Sequence, residues 1–135
     1  MSSVEVNTLP DGWLRKEMQE IASPNHSYAI GDGDHGQIKS TWYKEEGIPY
    51  IRVGDILIDG TISFKKLVYI TEKVHNDNKK SHLLPGDILI AKTGATIGKV
   101  AIIPESIPTS NTTASVGKIT LNRLIVDSKF VFYYL

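Results

Sequence analysis

Cysteine does not occur among the 135 residues. That excludes a disulfide framework, a thiolate metal site and a thiol nucleophile. No apolar run approaches the roughly 18 residues needed to span a membrane. The opening "MSSVEVNTLPDGW" has no basic stretch followed by an apolar one, so no secretory signal is expected and a cytoplasmic protein is the default. Net charge is missing as well: 15 Lys and Arg balance 15 Asp and Glu, so the chain as a whole exerts no pull on a polyanion. The histidines, His26, His35, His75 and His82, show no metal spacing such as HExxH. There is no GxSxG elbow around any serine, and there are no repeats or low-complexity segments.

What is present is ordinary globular material. Hydrophobic residues make up 41% and charged residues 22%, enough for one domain over residues 1–135 with a buried core. The charge is unevenly spread. Residues 1–64 carry a net −5, residues 65–99 a net +4, and the remainder +1. A basic central third could face a polyanion, or could be a solvated edge with scattered lysines.

Along the chain, "LPDGW" (9–13) reads as a turn with Trp13 as a core anchor. Leu14, Met18 and Ile21 then recur at helical spacing. The stretch from Ile30 to Gly47, rich in Gly, Asp and Lys, reads as a long ordered loop of the kind that often carries function. "IPYIRVGDI" (48–56) is a strand signal with Pro49 near its start, and the Asp-Gly pair of "IDGTI" marks a tight turn. "KLVYITEK" (66–73) is a further strand candidate, and "VHNDNKKSHLLPGD" a polar connection. "DILIA" (87–91) and "KVAII" (99–103) are β-prone segments bracketing "KTGATIG", and "SVGKITLN" (115–122) supplies another strand. "VDSKFVFYYL" has Asp127 or Ser128 as a possible N-cap ahead of aromatics that a helix could bury. The expectation is an α+β fold, a single β-rich domain with short helices at its N- and C-terminal ends.

Three chemistries are tested and set aside. A phosphate-binding loop needs GxxxxGK[ST] between a strand and a helix. Here three residues separate Gly94 from Gly98, Val100 follows Lys99, and what comes next is strand-like. "DGDHG" (32–36) opens like a calcium loop, but Gly36 and Tyr43 stand where oxygen ligands belong. A turn in which Asp side chains bond nearby backbone N–H groups is the better reading. No carboxylate precedes Lys92 at the spacing of a nuclease core, so no catalytic set is expected and no cofactor is implied.

Taken in order, "LPDGW", "DGDHG", "GIPYIRVGDI", "LLPGDILIAKTGATIGKVAII" and "VDSKFVFYYL" resemble the DNA specificity subunits of type I restriction–modification systems. Each motif alone is weak; the ordered set covers nearly the whole chain. The resemblance implies a non-enzymatic target recognition domain that reads one half of a split double-stranded DNA sequence. Its implied partners are the methyltransferase and restriction subunits, which do the chemistry. It further implies a truncated first half of such a subunit, since the helical spacer and second recognition domain are not in the sequence. The alternatives are a standalone β-rich hydrolase or peptidase-like domain, and a protein-interaction module on the same scaffold.

On this reading Lys92 and Lys99 are candidates for phosphate contacts, with Thr93 and Thr96 as hydrogen-bonding neighbours; a purely structural turn is the alternative. Base reading is assigned to the less regular segments: Gln37, Lys39 and Ser40; Asn76, Asn78, Lys79 and Lys80; and Asn111, Thr112 and Thr113. Lys suits guanine there, and Asn or Gln suits adenine. Arg52 either contacts DNA or pairs with Asp55. His35, between glycines, could reach a phosphate or base edge.

Overall fold

Short β-prone runs with apolar residues at alternate positions become strands that bury one or both faces, and here they build two packed sheets. The computed structural model describes residues 18–24, 28–34, 36–94, 97–122, 127 and 131–132. Two α-helical segments, α1 (Met18–Ile21) and α2 (Glu72–Asp77), accompany eight strands: β1 (Ile30–Asp32), β2 (Ile48–Ile51), β3 (Val68–Ile70), β4 (His82–Leu83), β5 (Ile88–Ala91), β6 (Val100–Ile102), β7 (Ser110–Thr112) and β8 (Val116–Ile119). The first sheet has the order β1-β8-β5-β6 and is antiparallel throughout. The second, β3-β2-β7-β4, is mixed, with β2 and β7 parallel.

Alternation decides which face each strand presents. Leu89, Ala91, Ala101, Ile103 and Val116 of the first sheet meet Ile51, Ile56, Ile62 and Leu83 in the core between the sheets. The other face of the first sheet, with Ile88 and Ile119, packs against Ile21, Ala22, Val131 and Phe132. The outer face of the second sheet, with Tyr50 and Ile70, is covered by Ile38 and Tyr43 from the loop before β2 and by Val74 from α2. A fully buried aliphatic side chain contributes roughly 1.5–3 kcal/mol, so these three clusters hold the fold.

The β-rich α+β architecture is as expected, and "DILIA" and "KVAII" form an antiparallel hairpin with Leu89 opposite Ala101. Three local expectations are corrected. Ile30–Asp32, read as loop, is a strand paired to β8. "TEKVHND" is not strand or connection but the helix α2, capped by Thr71, whose hydroxyl accepts from Val74 N. Asn111 and Thr112, read with Thr113 as a less regular polar cluster, lie in β7 (Ser110–Thr112), an interior strand between β2 and β4. Most of the expected terminal helices, including Trp13 and Leu14, lies outside the described residues.

Candidate nucleic-acid interface

The loop after β1 is pinned by one carboxylate. Asp34 Oδ2 accepts from Ile38 N at 2.9 Å and Oδ1 accepts from the Tyr50 hydroxyl at 2.5 Å, while Asp34 N donates to Thr112 O. Burial, reinforced by the bond to Asp34, holds the Tyr50 hydroxyl well above the usual phenol range. The expectation of an Asp-supported turn in "DGDHG" is met, and Gly36 takes the positive φ of 82° that such a turn uses. Because Ile38 is drawn into the core, Gln37 and Lys39 on either side of it point outward and are exposed. Lys39 Nζ lies 6.0 Å from the ring centroid of half-exposed Trp42, at the limit of a cation–π contact. Ser40 is exposed in the adjoining 3-10 turn. His35 lies outside the described residues.

The second candidate segment follows α2. The helix ends at Asn78, whose side chain donates back to Val74 O at 2.7 Å, and the chain tightens into a 3-10 turn over Lys79–Ser81. Lys79, Lys80 and Asn76 are exposed, and Asn78 is half-buried. This turn packs against β1, and Ile38 of the first segment shares a cluster with Val74 of α2.

A buried polar chain fixes that turn from beneath. Ser81 Oγ hydrogen-bonds to Asn111 Oδ1, and Asn111 Nδ2 donates to His75 Nδ1 at 3.0 Å. With Nδ1 accepting, His75 carries its proton on Nε2, which lies 3.1 Å from Thr109 Oγ1. Burial, with the neighbouring His82 adding to it, pushes the His75 pKa down to about 4. The two imidazoles stack at 3.6 Å and 5°. His82 Nε2 donates to His75 O, and Lys118 Nζ donates to His82 O at 2.7 Å. Lys118, buried between the sheets, has its pKa lowered by desolvation, against the pull of Asp87 at 3.9 Å.

This corrects two candidates. Asn111 and Thr112 are 0% exposed. Asn111 is spent on Ser81, His75 and the Thr112 N–H, and the Thr112 hydroxyl donates to Ile51 O at 2.7 Å. Their polar groups are interior partners, not surface donors. His75, Ser81 and His82 were not singled out as a group from sequence. They come from a helix, a turn and a strand, and Asn111, which joins two of them, lies thirty residues further on.

The "KTGATIG" connection closes the β5–β6 hairpin. Ala91 N donates to Lys99 O, and Gly98 N to Ala91 O. Gly94 and Gly98 have φ of 82° and 88°, values that glycine adopts without Cβ strain. A paired strand follows, not a helix, so the phosphate-loop reading stays excluded. Lys92 and Thr93 are exposed and Lys99 half-buried; Thr96 lies outside the described residues. Lys92 Nζ forms a 2.6 Å ion pair with Asp32 Oδ2, which cancels part of its charge. Arg52 is paired as one expectation had it: Nε is 3.8 Å from Asp55 and Nη2 donates to Lys66 O. Register places Asp32, Gly117, Ala91 and Val100 at one end of the first sheet, so the loops bearing Gln37 and Lys39 and the Lys92–Lys99 connection leave from the same end.

The described residues contain no group of three or more His, Cys, Asp or Glu able to hold a metal. Ser81, next to His82 in the chain, bonds to an amide and a carbonyl and is 1% exposed. Among the side chains that reach the surface are Gln37 and Lys39 on one turn and Lys79 and Lys80 on another. The chain belongs to the family of type I restriction modification DNA specificity domains, whose model matches residues 34–135. Its fold is that of solved relatives of low identity. The HsdS subunit from Thermoanaerobacter tengcongensis superposes with a TM-score of 0.63 at 17% identity, over 94% of this chain and 30% of that one. A chain from a study of complex assembly and conformational transition in the type I R-M system gives 0.63 at 18% identity, over 96% of this chain and 30% of that one. The chain thus spans about a third of the length of these structures. No curated protein matches it by sequence.

Proposed function

We propose that this domain reads one half of a split target in double-stranded DNA, as a non-catalytic recognition element for methyltransferase and restriction subunits. Family membership over residues 34–135 supports the reading. The observation that carries it is that the loop bearing exposed Gln37 and Lys39 packs through Ile38 on the same cluster as Val74 of α2, the helix that leads into exposed Lys79 and Lys80. Gln and Lys supply the bidentate and cationic groups that discriminate base edges in the major groove, and buried side chains hold both turns in place. Lys92, Thr93 and Lys99 serve as backbone-positioning contacts. Asn78, half-buried with its amide turned back to Val74 O, acts mainly by shaping the turn.

With no net charge, the isolated domain binds weakly, because affinity from counterion release scales with the phosphates neutralised. The test is a salt-titrated binding assay against random duplex. Lys79→Ala/Lys80→Ala and Lys92→Ala/Lys99→Ala are each expected to make the slope of log K against log salt shallower by about 1 to 2. Unchanged affinity and slope in both variants would remove these lysines from the contact surface.

A further inference from the structure

A second charged feature centres on Arg52 and the Lys65–Lys66 pair. Arg52 leaves the end of β2, and its guanidinium is held in three ways. Nη2 donates to Lys66 O at 2.8 Å, Nε stands 3.8 Å from the Asp55 carboxylate, and the group sits 5.6 Å from the Tyr43 ring centroid. Nε is nevertheless buried and has no hydrogen-bond acceptor. Asp55 stands beyond hydrogen-bond reach of it, its Oδ2 accepting instead from Arg52 N at 2.9 Å. In front of this guanidinium opens a cleft of about 540 Å³ lined by Arg52, Gly54, Asp55, Ser63, Lys65 and Lys66. Lys65 and Lys66 are exposed, and among the described residues neither has a carboxylate within ion-pair distance. Three cations thus face one carboxylate that is already engaged.

We infer that this cleft binds a backbone phosphate of duplex DNA, extending the phosphate-contacting surface beyond the Lys92–Lys99 connection. The inference rests on the DNA-recognition reading above. The lining carries no Asn or Gln to read an adenine edge and no apolar side chain to enclose a small organic ligand. It offers ammonium groups and the Ser63 hydroxyl around a fixed guanidinium, the chemistry that holds a phosphodiester. The location suits a long polyanion. A Cβ built on Gly94 would lie 3.9 Å from Val53 Cγ1, so the Lys92–Lys99 connection abuts the residue between Arg52 and Gly54. One strand of duplex can therefore meet both.

The test uses the ¹⁵N-labelled 135-residue chain, titrated in parallel with a short duplex and with inorganic phosphate, alongside a Lys65→Ala/Lys66→Ala variant. Both lysines are exposed, so the variant retains the fold, which its own spectrum verifies; Arg52 is left in place because its loss would strand Asp55. Expected are amide shifts at Gly54, Ser63, Lys65 and Lys66 that saturate with those at Gln37 and Lys39. The variant's salt slope should be shallower by about 1 to 2, with base preference unchanged. If duplex moves Gln37 and Lys39 but not the cleft, and the variant keeps the wild-type slope, the cleft assignment fails and the DNA reading stands. Inorganic phosphate saturating the cleft while duplex leaves it unmoved would make it a small-anion site and also overturn the inference. A chain that responds nowhere to duplex loses both.

Discussion

Asn111 occupies an interior strand position where an aliphatic side chain would ordinarily sit, and it is tolerated because every polar atom it brings has a partner. Its amide links the 79–81 turn to His75, so a residue that never reaches the surface shapes one that does. Asn111→Leu should cost about 2–4 kcal/mol in urea denaturation, since it strands the Ser81 hydroxyl and the His75 ring together. The buried Thr120 hydroxyl offers the converse case, having no hydrogen-bond partner. Thr120→Val is expected to be neutral or to stabilise by up to about 1 kcal/mol. His75 adds a pH dependence. Its folded pKa of about 4 lies below the ordinary value of 6.5, so the unfolded chain binds more protons between those limits. Stability is full above pH 6.5 and falls by up to roughly 3 kcal/mol towards pH 4. Urea midpoints across that range should show the decline in the wild type and a flatter profile in His75→Gln. Sequence alone left these roles hidden. Asn and Thr in "SNTT" carry surface-type side chains, and only partners thirty or more residues away make them interior ones.

At the level of elements, what was legible was what local chemistry determines. The apolar runs of "DILIA" and "KVAII" pair as β5 and β6. The Asp-Gly turn closes with Leu57 N donating to Thr61 O. The glycines of "KTGATIG" take positive φ, as a structural turn there requires. What failed was set by tertiary pairing. β7 is a strand because β2 and β4 supply its ladder, against the low β propensity of Ser and Asn. The helix α2 was obscured by the strand-like "LVYI" before it, although Thr71 and the Lys73–Asp77 pair at i and i+4 are helix signals. Two glycines separate conformational need from close approach. A Cβ at Gly98 would meet nothing within 4 Å, so Gly98→Ala carries only the positive-φ penalty, about 1 kcal/mol. A Cβ at Gly33 would lie 2.1 Å from Thr113 O. Gly33→Ala must therefore push β1 away from the end of β7, and thermal melts of the two variants should show a much larger loss at Gly33.

Across the whole molecule, the fold converts a chain of zero net charge into one with a basic, amide-bearing surface. The +4 of residues 65–99 is concentrated in turns and connections, and register brings the loop after β1 and the β5–β6 connection out at one end of the first sheet. Of the candidate surface, the exposed side chains were legible in the sequence: Gln37, Lys39, Lys79 and Lys80. The supports beneath it, Asp34 with Tyr50 and Ser81 with Asn111 and His75, are long-range and could not be. The claim on which the account depends is that this surface reads base sequence. Selection from a randomised duplex pool at low salt measures it most directly, with the wild-type chain beside Gln37→Ala/Lys39→Ala and Lys79→Ala/Lys80→Ala. The account predicts that the wild type enriches one short, ungapped sequence and that each variant relaxes the preference at different positions within it. Recovery of an unenriched pool by the wild type, or of the same sequence with undiminished preference by both variants, would contradict it.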